Sequence, residues 1–117
     1  MPQYPNIVST KFAKSFYGVT VIPTVPVTGA PVVNAQTMQN ALPMTLNEII
    51  GTVVASNTPT SWAIASGGAG MYAISASGVI TCTAAGVTGI NAGTDYLLIS
   101  ATNASGTGQA MITIETT

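Results

Sequence analysis

The chain has 117 residues, the length of one ordinary domain with at most an arm attached, and leaves no room for a second independent core. Charged residues make up 4% of it, where about a quarter is usual; Lys11, Lys14, Glu48, Asp95 and Glu115 give a formal net charge of −1. That excludes counterion-release binding to nucleic acid, which needs several basic residues on one face, and the absence of histidine removes the commonest general base and metal ligand, so the chain reads as non-enzymatic.

Residues 1–33 contain five of the seven prolines (Pro2, Pro5, Pro23, Pro26, Pro31) and both lysines. The run VTVIPTVPVTGAPVV has a strand-like register of Val and Ile, but its prolines lack backbone donors and favour extended or polyproline-like structure. Fully extended, about 33 residues reach on the order of 100 Å, farther than the diameter of one domain. Residues 1–43 therefore read as an extended N-terminal arm, packed on its own domain or on neighbouring subunits. Within the arm, NAQTMQNAL at 34–42 fits a short helical turn with Asn34 as N-cap and Pro43 as stop. Phe12, Phe16 and Tyr17 stand beside Lys11 and Lys14; two lysines are too few for stacking on single-stranded nucleic acid, so these aromatics, with Val21 and Ile22, are read as anchors for a partner's apolar pockets.

From residue 44 the pattern is β throughout. Strands are expected at 44–47, 50–56, 61–66, 71–75, 79–84, 95–103 and 109–116. Turn clusters NTP, GGAG, SASG, TGINAG and ASGTG separate them at roughly ten-residue spacing, the mark of a sandwich or barrel. The simplest all-β fold for residues 44–117 is a small antiparallel β-sandwich. Alternation places Trp62, Ile64, Ile80, Cys82, Leu97, Ile99, Ala101, Ala110, Ile112 and Ile114 inward, with Ala84 on the face of Cys82. Tyr96 and Leu98 fall on the other side of their strand, which burial under a loop or an intersubunit contact would equally explain.

The remaining motifs have plain readings. GGAG at 67–70 joins strand to strand with no helix N-terminus to face a phosphate, so it is a hairpin turn. NAS at 103–105 has the form of a glycosylation sequon but is read as a loop, since no secretory signal is read at the N-terminus; a mature, processed chain would look the same. Asp95 has no second carboxylate or nucleophile beside it and is read as a charge that discourages edge pairing. Cys82, the single cysteine, reads as a small core residue. Mean hydropathy is +0.50, yet no run reaches the 18 or so apolar residues of a spanning helix, so no membrane association is expected.

Residues 44–116 resemble a cadherin-type module of the immunoglobulin-like β-sandwich class. LNEIIGTVVAS at 46–56 is similar to the family's opening acidic-Gly-Thr strand, MYAIS with SGVIT to its mid-domain hairpin, and DYLLISATNASG at 95–106 to the strand that runs into Ala-Thr-Asp before the last strand. Calcium sites in that family need clustered carboxylates; only Glu48 stands where the family places a ligand, Asn103 replaces the Asp, and no acidic cluster follows. No calcium and no other cofactor is expected. With so little charge to keep a free monomer dispersed, much of the surface should be covered in the working state. Single immunoglobulin-like domains with a terminal arm resemble phage head-decoration (cement) proteins, which implies a virion structural protein on the capsid surface. Its partners would be copies of itself, the major capsid protein, or both. A tail or fibre component and an extracellular adhesion or carbohydrate-binding module are the alternatives. The expected interface is Phe12, Phe16, Tyr17, Val21 and Ile22 in the arm, with Tyr96 and Leu98 on the domain.

Overall fold

A computed structural model of the chain describes residues 29–117; Phe12, Phe16, Tyr17, Val21 and Ile22, and the arm's course before Gly29, lie outside the described residues. The longest elements are β8 (Gly93–Asn103) and β9 (Gly106–Thr116), and they pair antiparallel over their whole length, from Gly93 opposite Thr116 to Asn103 opposite Gly106. Both segments alternate apolar and polar residues, so one face of the pair becomes a continuous apolar row. Leu97, Ile99, Ala101, Ile112 and Ile114 on that face are fully buried.

The other strands assemble around this pair. β5 (Ser61–Gly67) adds antiparallel to β8, and β2 (Gln36–Asn40) adds parallel to β9, giving a four-stranded sheet in the order β2-β9-β8-β5. A second layer consists of β3 (Ile49–Thr52), β7 (Val79–Cys82) and β6 (Tyr72–Ile74) in the order β3-β7-β6. β1 (Val32–Val33) pairs with β4 (Ala55–Ser56), which follows β3 closely. The chain thus starts against the β3–β4 side and crosses to β9 of the other layer. Ile80 and Cys82 of β7, Tyr72 of β6, Ile50 and Val53 at β3, Val33 and Met38 close the core from around that row. The fold is an all-β, immunoglobulin-like sandwich, with one parallel pair among its antiparallel ladders.

Four local expectations are corrected. Residues 34–42 form no helical turn: Met38 points into the core while Thr37 and Gln39 face outward, a period of two, and Asn34 gives its N–H to the Val54 carbonyl at 2.9 Å instead of capping a helix. Val32–Asn40 therefore belongs to the sandwich, and a boundary between 43 and 44 places too much of the chain in the arm. Residues 44–47 are a turn, with Asn47 at φ 63°, rather than a strand. After Cys82 the strand stops: Thr83 caps a short helix α1 (Ala84–Gly89), its Oγ1 accepting from the Gly86 N–H at 3.2 Å, so Ala84 leaves the face of Cys82 and is exposed.

The start of the chain's described course depends on one glycine. A Cβ on Gly108 of β9 would lie 1.8 Å from the Pro31 carbonyl oxygen, so only a residue without a side chain lets the strand pass there. Gly108→Ala is expected to destabilise the domain by about 1–3 kcal/mol through forced backbone displacement. A urea titration would show a lower midpoint with an unchanged slope.

Candidate functional site

The face of the four-stranded sheet turned away from the core carries Ser61 and Ala63 on β5, Thr94, Tyr96, Leu98, Ser100 and Thr102 on β8, and Thr107, Gln109, Met111, Thr113 and Glu115 on β9. Leu98 stands directly opposite Met111, and Tyr96 opposite Thr113. Tyr96 is 58% exposed, Met111 45%, and Leu98 half-buried, so the three form an apolar patch within a field of hydroxyls and amides. The structure brings Tyr96 and Leu98 onto one face, and among the described residues no loop covers Tyr96. Met111 was missed in the sequence, although its alternation with Ile112 and Ala110 in QAMITIET already set it outward. Polar neighbours hold one another: Thr102 and Thr107 Oγ1 atoms lie 2.8 Å apart, and Gln39 Nε2 donates to Glu115 Oε1 at 3.3 Å. Glu115 is the one charged residue among those named.

A second apolar surface lies on the opposite layer. Val32 and Ser56 are paired, Val54 follows two residues back along that strand, and both valines point away from buried Val33 and Val53. Ile49 of β3 is opposite Thr81, and Thr52 opposite Val79. Ile49, Val32 and Val54 are all more than half exposed. The signal for Ile49 was obscured by a register shift between Ile49 and Gly51, which turns it outward although it stands an even number of residues before inward Val53.

Titratable groups are used structurally. The Tyr72 hydroxyl donates to Asp95 Oδ2 at 2.5 Å, tying β6 of one layer to β8 of the other. Asp95 thus faces between the layers on an inner strand and does not guard an edge, a correction to its expected role. Glu48 Oε1 accepts from the Thr45 N–H at 2.9 Å and from Thr45 Oγ1 at 3.1 Å, closing the turn before β3. Among the described residues, no three His, Cys, Asp or Glu side chains gather as a metal site. Cys82 is fully buried, and burial pushes its thiol pKa up, against nucleophilic use. Asn103 ends β8 and is 8% exposed; its Nδ2 donates to the Gly29 carbonyl at 3.0 Å and the Asn57 carbonyl at 2.7 Å. The amide of the NAS sequon is thereby spent on holding two loops.

No protein-family model matches the chain, and no curated protein matches it. Among solved structures it is similar to a crystal structure of human protocadherin-24 EC1-2, with 13% identity and a TM-score of 0.56, over 79% of this chain and 53% of that one. The chain spans about half the length of that structure. At this identity the likeness establishes the fold, a cadherin-like β-sandwich, and nothing about activity.

The Tyr72–Asp95 contact has a pH signature. Burial, and then the hydrogen bond and negative charge of Asp95, push the Tyr72 pKa well above its ordinary value of 10.0. The folded phenol keeps its proton where the unfolded one loses it, so this contribution is present below about pH 10 and fades as pH rises above it. Tyr72→Phe is expected to cost about 1–3 kcal/mol at neutral pH. Melting followed by circular dichroism between pH 8 and 11.5 should show a shallower alkaline decline in the variant.

Proposed function

We propose that the chain is a non-enzymatic structural protein of a virus particle, acting as a phage head-decoration (cement) protein on the capsid surface. The observation that carries this reading is the pair of opposite sheet faces, each with large apolar side chains in the open and almost no charge: Tyr96, Leu98 and Met111 on one, Val32, Ile49 and Val54 on the other. Surfaces of this kind are costly in free solution and are favoured where neighbours cover them. The mechanism is adhesive. The sandwich bears on junctions between shell subunits, the arm with Phe12, Phe16, Tyr17, Val21 and Ile22 reaches neighbours, and many weak contacts add up to lasting attachment. Partners are copies of the chain, the major capsid protein, or both, with no cofactor, calcium, nucleic acid or membrane required.

Antibodies against the chain, applied to lysates of cells that produce it, are expected to decorate particle heads in negative-stain electron microscopy. Labelling of tails or fibres would move the protein to that part of the virion, and labelling of cell envelopes without particles would favour the extracellular adhesion or carbohydrate-binding reading. If heads are labelled, Phe16→Ala and Tyr96→Ala should each weaken attachment about tenfold, as expected for aromatic anchors at an interface. Neither should change the melting of the free protein, because Tyr96 makes little contact with the core.

A further inference from the structure

Six strands end sheets or ribbons within the described residues, and they differ in how they are finished. β1 and β4 are two residues long, β6 is three, and β3 is four with a register shift between Ile49 and Gly51. β2 is tied across the sandwich, since Met38 packs on Gly51 of β3 and Gln36 Oε1 accepts the Val54 N–H at 3.1 Å. β5 is different. It is seven residues long, pairs only with β8, and its sequence SWAIASG contains neither proline nor charge. Edges of that length are normally blunted by charge, proline or a covering segment. The register shift after Ile64 ends the regular part and leaves Ser61–Ile64 without a strand partner on its outer side among the described residues.

The side chains along this edge define what fits it. Trp62 and Ile64 point toward the core yet remain half-buried, whereas the inward residues Leu97, Ile99 and Ala101 of the adjacent strand are fully buried. A partner strand must therefore bring apolar residues on the core side and small ones on the other. β5 itself has that pattern. We infer that β5 pairs antiparallel with β5 of a second copy, about a two-fold axis through Ala63.

In that register Trp62 stands opposite Ile64 of the partner copy, an aromatic to β-branched pair of the kind that stabilises antiparallel ladders. Ala63 meets its own equivalent, and regular pairing stops before the register shift at Ala65. Shifting the register by one residue sets an apolar residue against a small outward one and loses the match. No charged residue lies on β5, so the two copies meet without repulsion across the axis. The proline-rich arm is a poorer occupant for a long pairing: Pro23 and Pro26 are three residues apart, so a paired stretch that contains both turns one missing N–H toward the edge. This inference deepens the self-association within the proposed function and holds whether or not the assembly belongs to a virus particle.

Ala63→Cys in the full-length chain tests it directly, because equivalent Cβ atoms across the axis would lie about 4.5–5.5 Å apart, close enough for a disulfide after small adjustment. Under mild oxidation the variant should give a disulfide-linked dimer. Gln109→Cys, exposed on the outer face of β9, should not, and buried Cys82 contributes to neither. Ala63→Lys, which sets two ammonium groups against each other, should weaken self-association at least tenfold in sedimentation velocity while leaving the melting of the monomer unchanged. A wild-type chain that stays monomeric at all concentrations overturns the inference. So does cross-linking of Ala63→Cys no stronger than that of Gln109→Cys, or an oligomer indifferent to Ala63→Lys. Head labelling without this cross-link would leave the capsid reading standing and remove the β5 pairing alone.

Discussion

The β8–β9 ladder is the constraint on which the rest of the sandwich depends. It is the longest pairing, it presents five fully buried inward residues, and it carries β5 on one side and β2 on the other. With three charged residues, one buried cysteine and no cluster of metal ligands among the described residues, the domain has little besides backbone pairing and apolar burial to hold it. Each fully buried aliphatic side chain is worth about 1.5–3 kcal/mol, so the row along β8 and β9 outweighs any single polar contact in the molecule. The polar contacts fix geometry instead. Tyr72 and Asp95 set the two layers against each other, and Asn103 locks Gly29 and Asn57 where the chain enters the sandwich.

That point of entrance joins sequence to topology in a particular way. Pro31 has no N–H to satisfy and is buried, and its carbonyl lies against Gly108. From there β1 begins on the β3–β4 side, and the chain crosses to run parallel to β9. A strand that changes layer in this manner covers one end of the core with Val33 and Met38 without needing a strongly apolar sequence. Its stability comes from the ladder it joins, so glycine at 108 and the side-chain amides at 57 and 103 matter more to it than its own propensity.

How much of this was legible in the sequence follows from the same physics. The alternation in DYLLISATN and QAMITIET is long enough to specify both strand and face, and the inward residues there are those that alternation picks out. Trp62 and Ile64 were placed on the correct side, but their partial burial depends on β5 ending the sheet, which no local pattern encodes. NAQTMQNAL has a single large apolar residue that the sheet uses, so a period of two cannot be told from 3.6; the free side of β9 decides it. The same limit hid α1, six residues with two glycines, whose start rests on the Thr83 cap. The outward position of Tyr96 and Leu98 was legible because β8 is apolar on both faces. The second patch was not, because the register shift at Ile49 reverses the parity on which face assignment depends.

The sparse charge acquires a sharper meaning once the faces are known. A sandwich needs only its inner faces to be apolar, and a domain selected to stay dispersed would place lysine and glutamate on the outer ones. Here the outer positions hold mostly Thr, Ser, Ala and Gln, with Glu115 the one charge on the four-stranded sheet's outer face and Tyr96, Met111, Ile49 and Val54 also in the open. Small hydroxyl and methyl side chains lose little conformational entropy when a neighbour covers them, and unlike long charged side chains they impose no desolvation of ions. Threonine in particular keeps strand propensity while remaining compatible with either water or a packed neighbour. Such a surface tolerates contact on several sides at once. Its cost falls on the free chain, which lacks electrostatic repulsion to oppose indiscriminate association, and specificity must then come from shape and from the register of paired strands rather than from charge.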